Sequence, residues 1–327
     1  NRCGCEVFYS AAGLRNCETG ERFDRDTVAR LYSMTKPVTT VALMMLVEKG
    51  LCHLDAPASE FIPAFSNMEA LVFEASRIDQ TTSCVTPTLH QLLTHTSGLS
   101  YSFNLGVLPQ EMKKEKLDFH PSDTSLENVC DKLATLPLAF APGIGWEYSV
   151  SIDVIGRIVE VISGQALDHF LQTEIFQPLG IHDIGFNFAP AMKGRIASLY
   201  TSLAGDPMDL NAARKECDAP QNTIPRLRLV DEEATSPFWD TRVYSGGGGL
   251  IGTLDGYMKF AEAFRTGASA NGGRILSPST VNFMKRNHLR GDIASLGPQS
   301  FAEQPMEGVG FGLGGAVMLD PARAHTP

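Results

Sequence analysis

Ser33-Met34-Thr35-Lys36 is the single Ser-x-x-Lys in the chain. Residues three apart on a helix lie about 5–6 Å apart at Cβ. A lysine amine so placed can take the proton of the serine hydroxyl and turn it into a nucleophile. The surrounding residues predict a helix start here. Pro37 is tolerated only in a first turn. Val38, Val41, Ala42, Met45 and Leu46 recur at helical spacing, and Gly50 follows Lys49 as a stop. A helix N-terminus favours a neutral lysine through its partial positive charge. Its free N–H groups, beginning with that of Ser33, can stabilise an oxyanion. The same four residues also read as an N-cap serine beside an exposed lysine, and a chain of this length contains about one Ser-x-x-Lys by chance. A second proton carrier stands at Tyr148, where Trp146-Glu147-Tyr148-Ser149 leaves a Pro/Gly-rich stretch and precedes a helix. A tyrosine held near the serine can pass a proton to a leaving group, the lysine ammonium lowering its pKa. A packed aromatic with its hydroxyl at the surface is the alternative.

Other chemistries find little support. There is no Gly-x-Ser-x-Gly, which excludes an α/β-hydrolase nucleophile elbow. Cys3-Gly4-Cys5 lacks a second pair or a nearby histidine, and no His-Glu-x-x-His occurs, so neither a metal nor a cofactor is implied. The run Gly246–Gly249 lacks the Lys-Ser/Thr of a phosphate loop and reads as tight backbone packing. Trp146 and Trp239 read either as walls of an acyl pocket or as packed core.

Of the 327 residues, 37 are acidic and 27 basic, a net charge of −10. The one dense basic cluster, Lys113, Lys114 and Lys116, alternates with Glu111, Glu115 and Asp118 as a solvated helix face, so nucleic acid is not an expected partner. The longest apolar run, Val41 to Val47, is far short of the roughly 20 residues of a membrane span. Seven scattered cysteines favour free thiols in a reducing compartment, hence a soluble protein of the cytoplasm or an organelle matrix. The chain opens on Asn1 rather than Met, so its native start, with any targeting peptide, is expected to have been removed.

Positioning these residues requires a mixed architecture. Residues 5–32 read as two short strands, one at Glu6–Tyr9, and a turn at Asn16–Gly20. Helices are expected at Thr88–Leu93, Leu126–Leu136, Val150–Ile162, Ala166–Phe176 and Asp255–Phe264, with a last strand over Phe311–Leu319. The polar stretch 201–240, with four prolines, reads as long loops. The expected fold is α/β (α+β). Residues 1–66 and 245–327 would form an antiparallel sheet flanked by helices, and 67–244 a mostly helical domain.

Asp26 to Pro37 resembles the first signature of the class C β-lactamase-like serine hydrolases. Leu92 to Leu99 looks like their next landmark, and Tyr148-Ser149-Val150 stands where they carry a tyrosine motif. Gln177 to Gly180 and Ser245 to Leu250 match later landmarks, in the right order over almost the whole chain. Within this β-lactamase/penicillin-binding-protein-like fold, the nearest resemblance is to family VIII carboxylesterases and fungal acyltransferases. Tyr-Ser-Val in place of Tyr-x-Asn leans away from a true β-lactamase. The resemblance implies Ser33 as nucleophile, Lys36 as base, Tyr148 as proton relay and His95 as a structural landmark holding its loop. It implies a small-molecule ester or acyl substrate, cleaved through an acyl-enzyme. An acyltransferase, a β-lactamase or DD-peptidase, and a catalytically weak assembly subunit are the alternatives. The family also carries a Lys, His or Trp followed by x-Gly on a strand shortly after the stretch matched by Gly310–Gly315, where it gives a second oxyanion donor. The chain reaches Pro327 before such a strand, so C-terminal strands are expected beyond it. Loss of one such donor costs a factor of roughly 10²–10³ in rate.

Overall fold

Almost every residue of the helix Thr35–Glu48 is buried from Thr35 to Leu46, with only Pro37 partly exposed. This explains why the segment is apolar nearly all round: it is an interior helix, surrounded rather than laid on a surface. The computed structural model describes residues 6–201, 227–268, 273–301 and 304–326. Its α-helices among these residues are α1 (Thr35–Glu48), α2 (Leu89–Leu93), α3 (Val107–Glu115), α4 (Leu126–Leu133), α5 (Ser151–Ser163), α6 (Leu167–Leu171), α7 (Leu254–Thr266) and α8 (Pro278–Met284). Helix α1 packs against α5 and α6, and α5 also meets α2 and α4. Val38, Leu43 and Leu46 join Ile152, Ile155, Ile158 and Phe170 in one continuous core.

The glycine run is built into this contact. A Cβ on Gly246 would lie 2.7 Å from the Ile152 carbonyl oxygen and 2.9 Å from Thr39 Cγ2, so backbone passes between α1 and α5 where no side chain fits. Thr39 Oγ1 donates to the Gly246 carbonyl at 2.8 Å.

Strands are short and antiparallel. A three-stranded sheet places Ile251–Gly252 between Ala29–Arg30 and Ile184–Gly185, in the register Ala29↔Gly252 and Ile184↔Gly252. The strand before the Ser-x-x-Lys turn is thus anchored to the strand after the glycine run. The other described pairs are two-stranded, among them Leu14–Asn16 with Glu21–Arg22 and Val309–Phe311 with Ala316–Met318. The buried Arg30 guanidinium pairs with Asp231 and also donates to the Ala197 carbonyl at 2.6 Å. It thereby ties this sheet to the antiparallel strand pair Leu199–Thr201 and Arg228–Asp231.

Several expectations are adjusted. Glu6–Tyr9 forms no strand; pairing falls on Leu14–Asn16 and Glu21–Arg22, on either side of the expected turn. The α-helix over Ala166–Phe176 ends at Leu171 and finishes in a π-helical turn, Gln172–Phe176. The strand over Phe311–Leu319 is a hairpin, turning at Gly312–Gly315. The loop reading of 201–240 falls largely on residues outside the described set, and its described end carries the strand Arg228–Asp231. No helix among the described residues is long and apolar enough to cross a membrane.

Candidate active site

Ser33 sits in a 3₁₀ turn, Tyr32–Met34, that leads directly into α1. The turn begins on a strained residue: Tyr32 has φ +46°, in the left-handed region that non-glycine residues avoid. Ser33 is exposed, and its amide belongs to the first turn, where N–H groups lack intrahelical acceptors. Pro37 lies at the third position of α1, so its missing N–H breaks no helical hydrogen bond.

Lys36 is 3 % exposed. Its Nζ lies 3.2 Å from Ser33 Oγ, 3.1 Å from the Tyr101 hydroxyl and 2.8 Å from the Gly247 carbonyl oxygen. The Gly247 carbonyl can only accept, and the Tyr101 oxygen presents lone pairs. These two occupy two N–H bonds and leave a neutral amine's lone pair for Ser33. Tyr148 completes the group: its hydroxyl donates to Ser33 Oγ at 2.7 Å, and its ring centroid lies 4.6 Å from Lys36 Nζ. The three residues expected from the sequence therefore converge on one hydroxyl.

The backbone of Tyr148 is held on both sides. Trp146 N–H donates to the Leu296 carbonyl at 2.9 Å, and Glu147 N–H to the His95 carbonyl at 3.0 Å. Asn104 Nδ2 donates to the Tyr148 carbonyl at 2.9 Å. Burial raises the pKa of Glu147, partly offset by donors from Ser100 and Asn104. His95 is fully buried, with φ +57°. Its ring lies 4.7 Å from that of Tyr148 and 5.3 Å from Phe311. Its Nδ1 accepts the Ser149 amide at 3.2 Å and meets the Ser149 hydroxyl at 3.0 Å. Burial, and then the nearby Lys36 charge, hold His95 well below the usual histidine pKa, so it is a neutral spacer behind Tyr148.

Two participants were absent from the sequence reading. Tyr101 is buried, and burial, followed by the charges of Asp153 and Tyr148, raises its pKa well above the usual range. It is therefore a neutral phenol in the Lys36 shell. Asp153, on α5, is 1 % exposed; it accepts from the Ser245 hydroxyl at 2.5 Å and the Gly247 amide at 2.9 Å. Burial raises its pKa while Lys36 and these donors pull it back. A signal for Asp153 existed: it is the one acid in the first two turns of α5, set between Ile152 and Val154 and five residues after Tyr148. Tyr101 carried no comparable mark.

Ser33 opens into a cleft of about 400 Å³. Tyr32, Phe103, Phe119, Tyr148, Phe238 and Phe301 give it aromatic walls, and Gly247–Gly249 form its backbone side. Asp118 and His120 lie at its polar edge, with the Asp118 carboxylate bound by the amide and hydroxyl of Ser102. Neither expected tryptophan lines this cleft. Trp146 is buried behind Tyr148 against Phe311, whereas Trp239 packs on Phe188 beside a separate cavity. The neighbours of each, Tyr148 and Phe238, reach the cleft instead.

Comparison with known proteins finds esterases and acyltransferases among the relatives. The Beta-lactamase family profile matches residues 1–322. The chain is 35 % identical to Esterase EstB of Burkholderia gladioli, over 98 % of this chain and 75 % of that protein. It is 30 % identical to the lovastatin esterase of Penicillium rubens, over 96 % of this chain and 76 % of that protein. Among solved structures, EstCE1, a hydrolase with promiscuous acyltransferase activity, superimposes with a TM-score of 0.74 at 26 % identity, covering 98 % of this chain and 77 % of the other.

Proposed function

Because this chain belongs to the beta-lactamase family, we propose that Ser33, Lys36 and Tyr148 are the nucleophile, base and proton relay of a serine ester hydrolase or acyltransferase. The observation that carries the assignment is the double contact on one hydroxyl: Tyr148 at 2.7 Å and Lys36 at 3.2 Å from Ser33 Oγ.

In this reading Ser33 Oγ bonds to the acyl carbon as its proton passes to Lys36. The Ser33 amide is positioned to stabilise the oxyanion. When the bond to the leaving group breaks, Tyr148 supplies a proton to it and regains one from Lys36. The acyl-enzyme is then resolved by water, giving hydrolysis, or by an alcohol or amine, giving transfer. The aromatic walls of the cleft favour an uncharged, apolar acyl group. The free thiols Cys17, Cys52, Cys84 and Cys130 among the described residues favour a reducing compartment.

A serine-directed fluorophosphonate tests the nucleophile. It is expected to label Ser33; Ser33→Ala should abolish labelling and Lys36→Ala should depress it strongly. A short-chain aryl ester should give an acyl-enzyme burst, and an added alcohol should divert the product to a new ester if transfer competes. Undiminished labelling of Ser33→Ala would refute the assignment.

A further inference from the structure

Lys36 must gain a proton inside the protein, where a lone ammonium is costly. Ser33, Tyr101 and Gly247 offer it hydrogen bonds but no negative charge. The buried carboxylate facing this group is Asp153. The site is built across one glycine: a Cβ on Gly247 would lie 2.2 Å from Asp153 Oδ2 and 3.0 Å from the Tyr101 hydroxyl. Gly247 itself is gripped at both ends, its N–H donating to Asp153 and its carbonyl accepting from Lys36. Ser245 donates to the same carboxylate oxygen as the Gly247 amide.

We propose that Asp153 is a positioning residue of the reaction: through Gly247 and Tyr101 it holds the Lys36 amine on Ser33, and it supplies the fixed counter-charge for the ammonium formed when Ser33 is acylated. The proton balance is closed. The Ser33 O–H bond breaks, Nζ gains the proton, and Tyr148 returns it to the leaving group. Asp153 stays ionised throughout and exchanges nothing. The inference rests on Ser33 being the nucleophile, which labelling of the unaltered protein tests separately.

The other groups facing this pair are few. Lys36 meets Tyr101, Tyr148 and the neutral His95; Asp153 meets Asp118 and the Cys130 thiol from neighbouring segments. The Asp118 carboxylate is engaged by the amide and hydroxyl of Ser102, and burial keeps the Cys130 thiol neutral, which leaves Asp153 as the counter-charge to Lys36.

The test is the pH dependence of fluorophosphonate inactivation for the unaltered protein and Asp153→Asn. The variant should still label at Ser33, with a limiting rate roughly 10²-fold lower. The midpoint at which its inactivation rate rises with pH should lie at least about one pH unit lower, because an ammonium without its counter-charge loses its proton more readily. For an ester, the loss should fall on kcat with KM little changed. A purely structural Asp153 would slow the reaction without moving the midpoint, and a folded variant with an unmoved midpoint overturns the proposal. If circular dichroism shows Asp153→Asn unfolded, Tyr101→Phe decides. It removes the hydroxyl between Asp153 and Lys36, so a lower midpoint supports the proposal and an unchanged one overturns it.

Discussion

In the proposed mechanism Lys36 and Tyr148 are two proton carriers that meet one oxygen at Ser33, and their tasks separate by leaving group. Tyr148→Phe keeps the ring over Lys36 and against His95 but removes the hydroxyl that donates to Ser33. An alkyl ester needs a proton delivered to its departing oxygen, whereas an aryl oxide leaves without one. The expected outcome is a loss of roughly 10²–10⁴-fold in kcat/KM for alkyl esters and a much smaller loss for aryl esters, measured side by side. Equal losses would move the role of Tyr148 to activation of Ser33. Ser33 and Lys36 were legible because the spacing that makes them partners is local. The partners of Tyr101 and Asp153 were not, because the Lys36–Tyr101 contact spans 65 residues and the Gly247–Asp153 contact spans 94. No local pattern records such pairings.

At the scale of elements, the packing of α1 on α5 decides whether the site exists. Asp153 sits on α5 and Lys36 on α1, with Gly246 between the two helices. Gly246→Ala would place a methyl 2.7 Å from the Ile152 carbonyl and force the helices apart. We expect a destabilisation of about 1–3 kcal/mol, read as a lower urea midpoint, together with slower labelling of Ser33. Unchanged values for both would show that the contact relaxes freely. Helices α2 and α5 were legible, and the structure shows Thr88 and Gln91 forming a capping box at α2 and Gly164 closing α5 in the left-handed region; the short α8 was not expected, although Ser277 caps it and Pro278 opens it. Strands were less so. Glu6–Tyr9 has strand-forming residues but no pairing partner among the described residues, and a strand exists only by pairing.

Across the whole molecule, buried imidazoles tie stability to pH. His95 is lowered well below 6.5 by burial, and His90 is lowered by burial and by His288, whose Nδ1 lies 3.1 Å from its Nε2. A base with a depressed folded pKa binds fewer protons folded than unfolded between the two values. Stability therefore falls as pH drops below about 6.5 and is flat in this respect above it. Asp153 and Glu147, raised by burial, contribute the opposite slope at lower pH. The histidine part is best isolated with His95→Asn, since asparagine tolerates the positive φ. Urea midpoints should fall between pH 7.5 and 5.5 in the unaltered protein, and less steeply in the variant. Equal slopes would remove His95 from the account.

The four contributors to the Lys36 environment come from positions 33, 101, 148 and 247, with Tyr148 meeting Ser33 across 115 residues and Gly247 meeting Lys36 across 211. Such separations make the site a late event in folding, since long loops must close before these contacts form. Helix α1 can coil early from its own sequence, yet its serine stays an ordinary alcohol until the distant tyrosine and glycine arrive. On the proposed assignment, reactivity of Ser33 is a clock for the last step of assembly, expected to lag behind recovery of helical signal when the denatured chain is returned to native conditions.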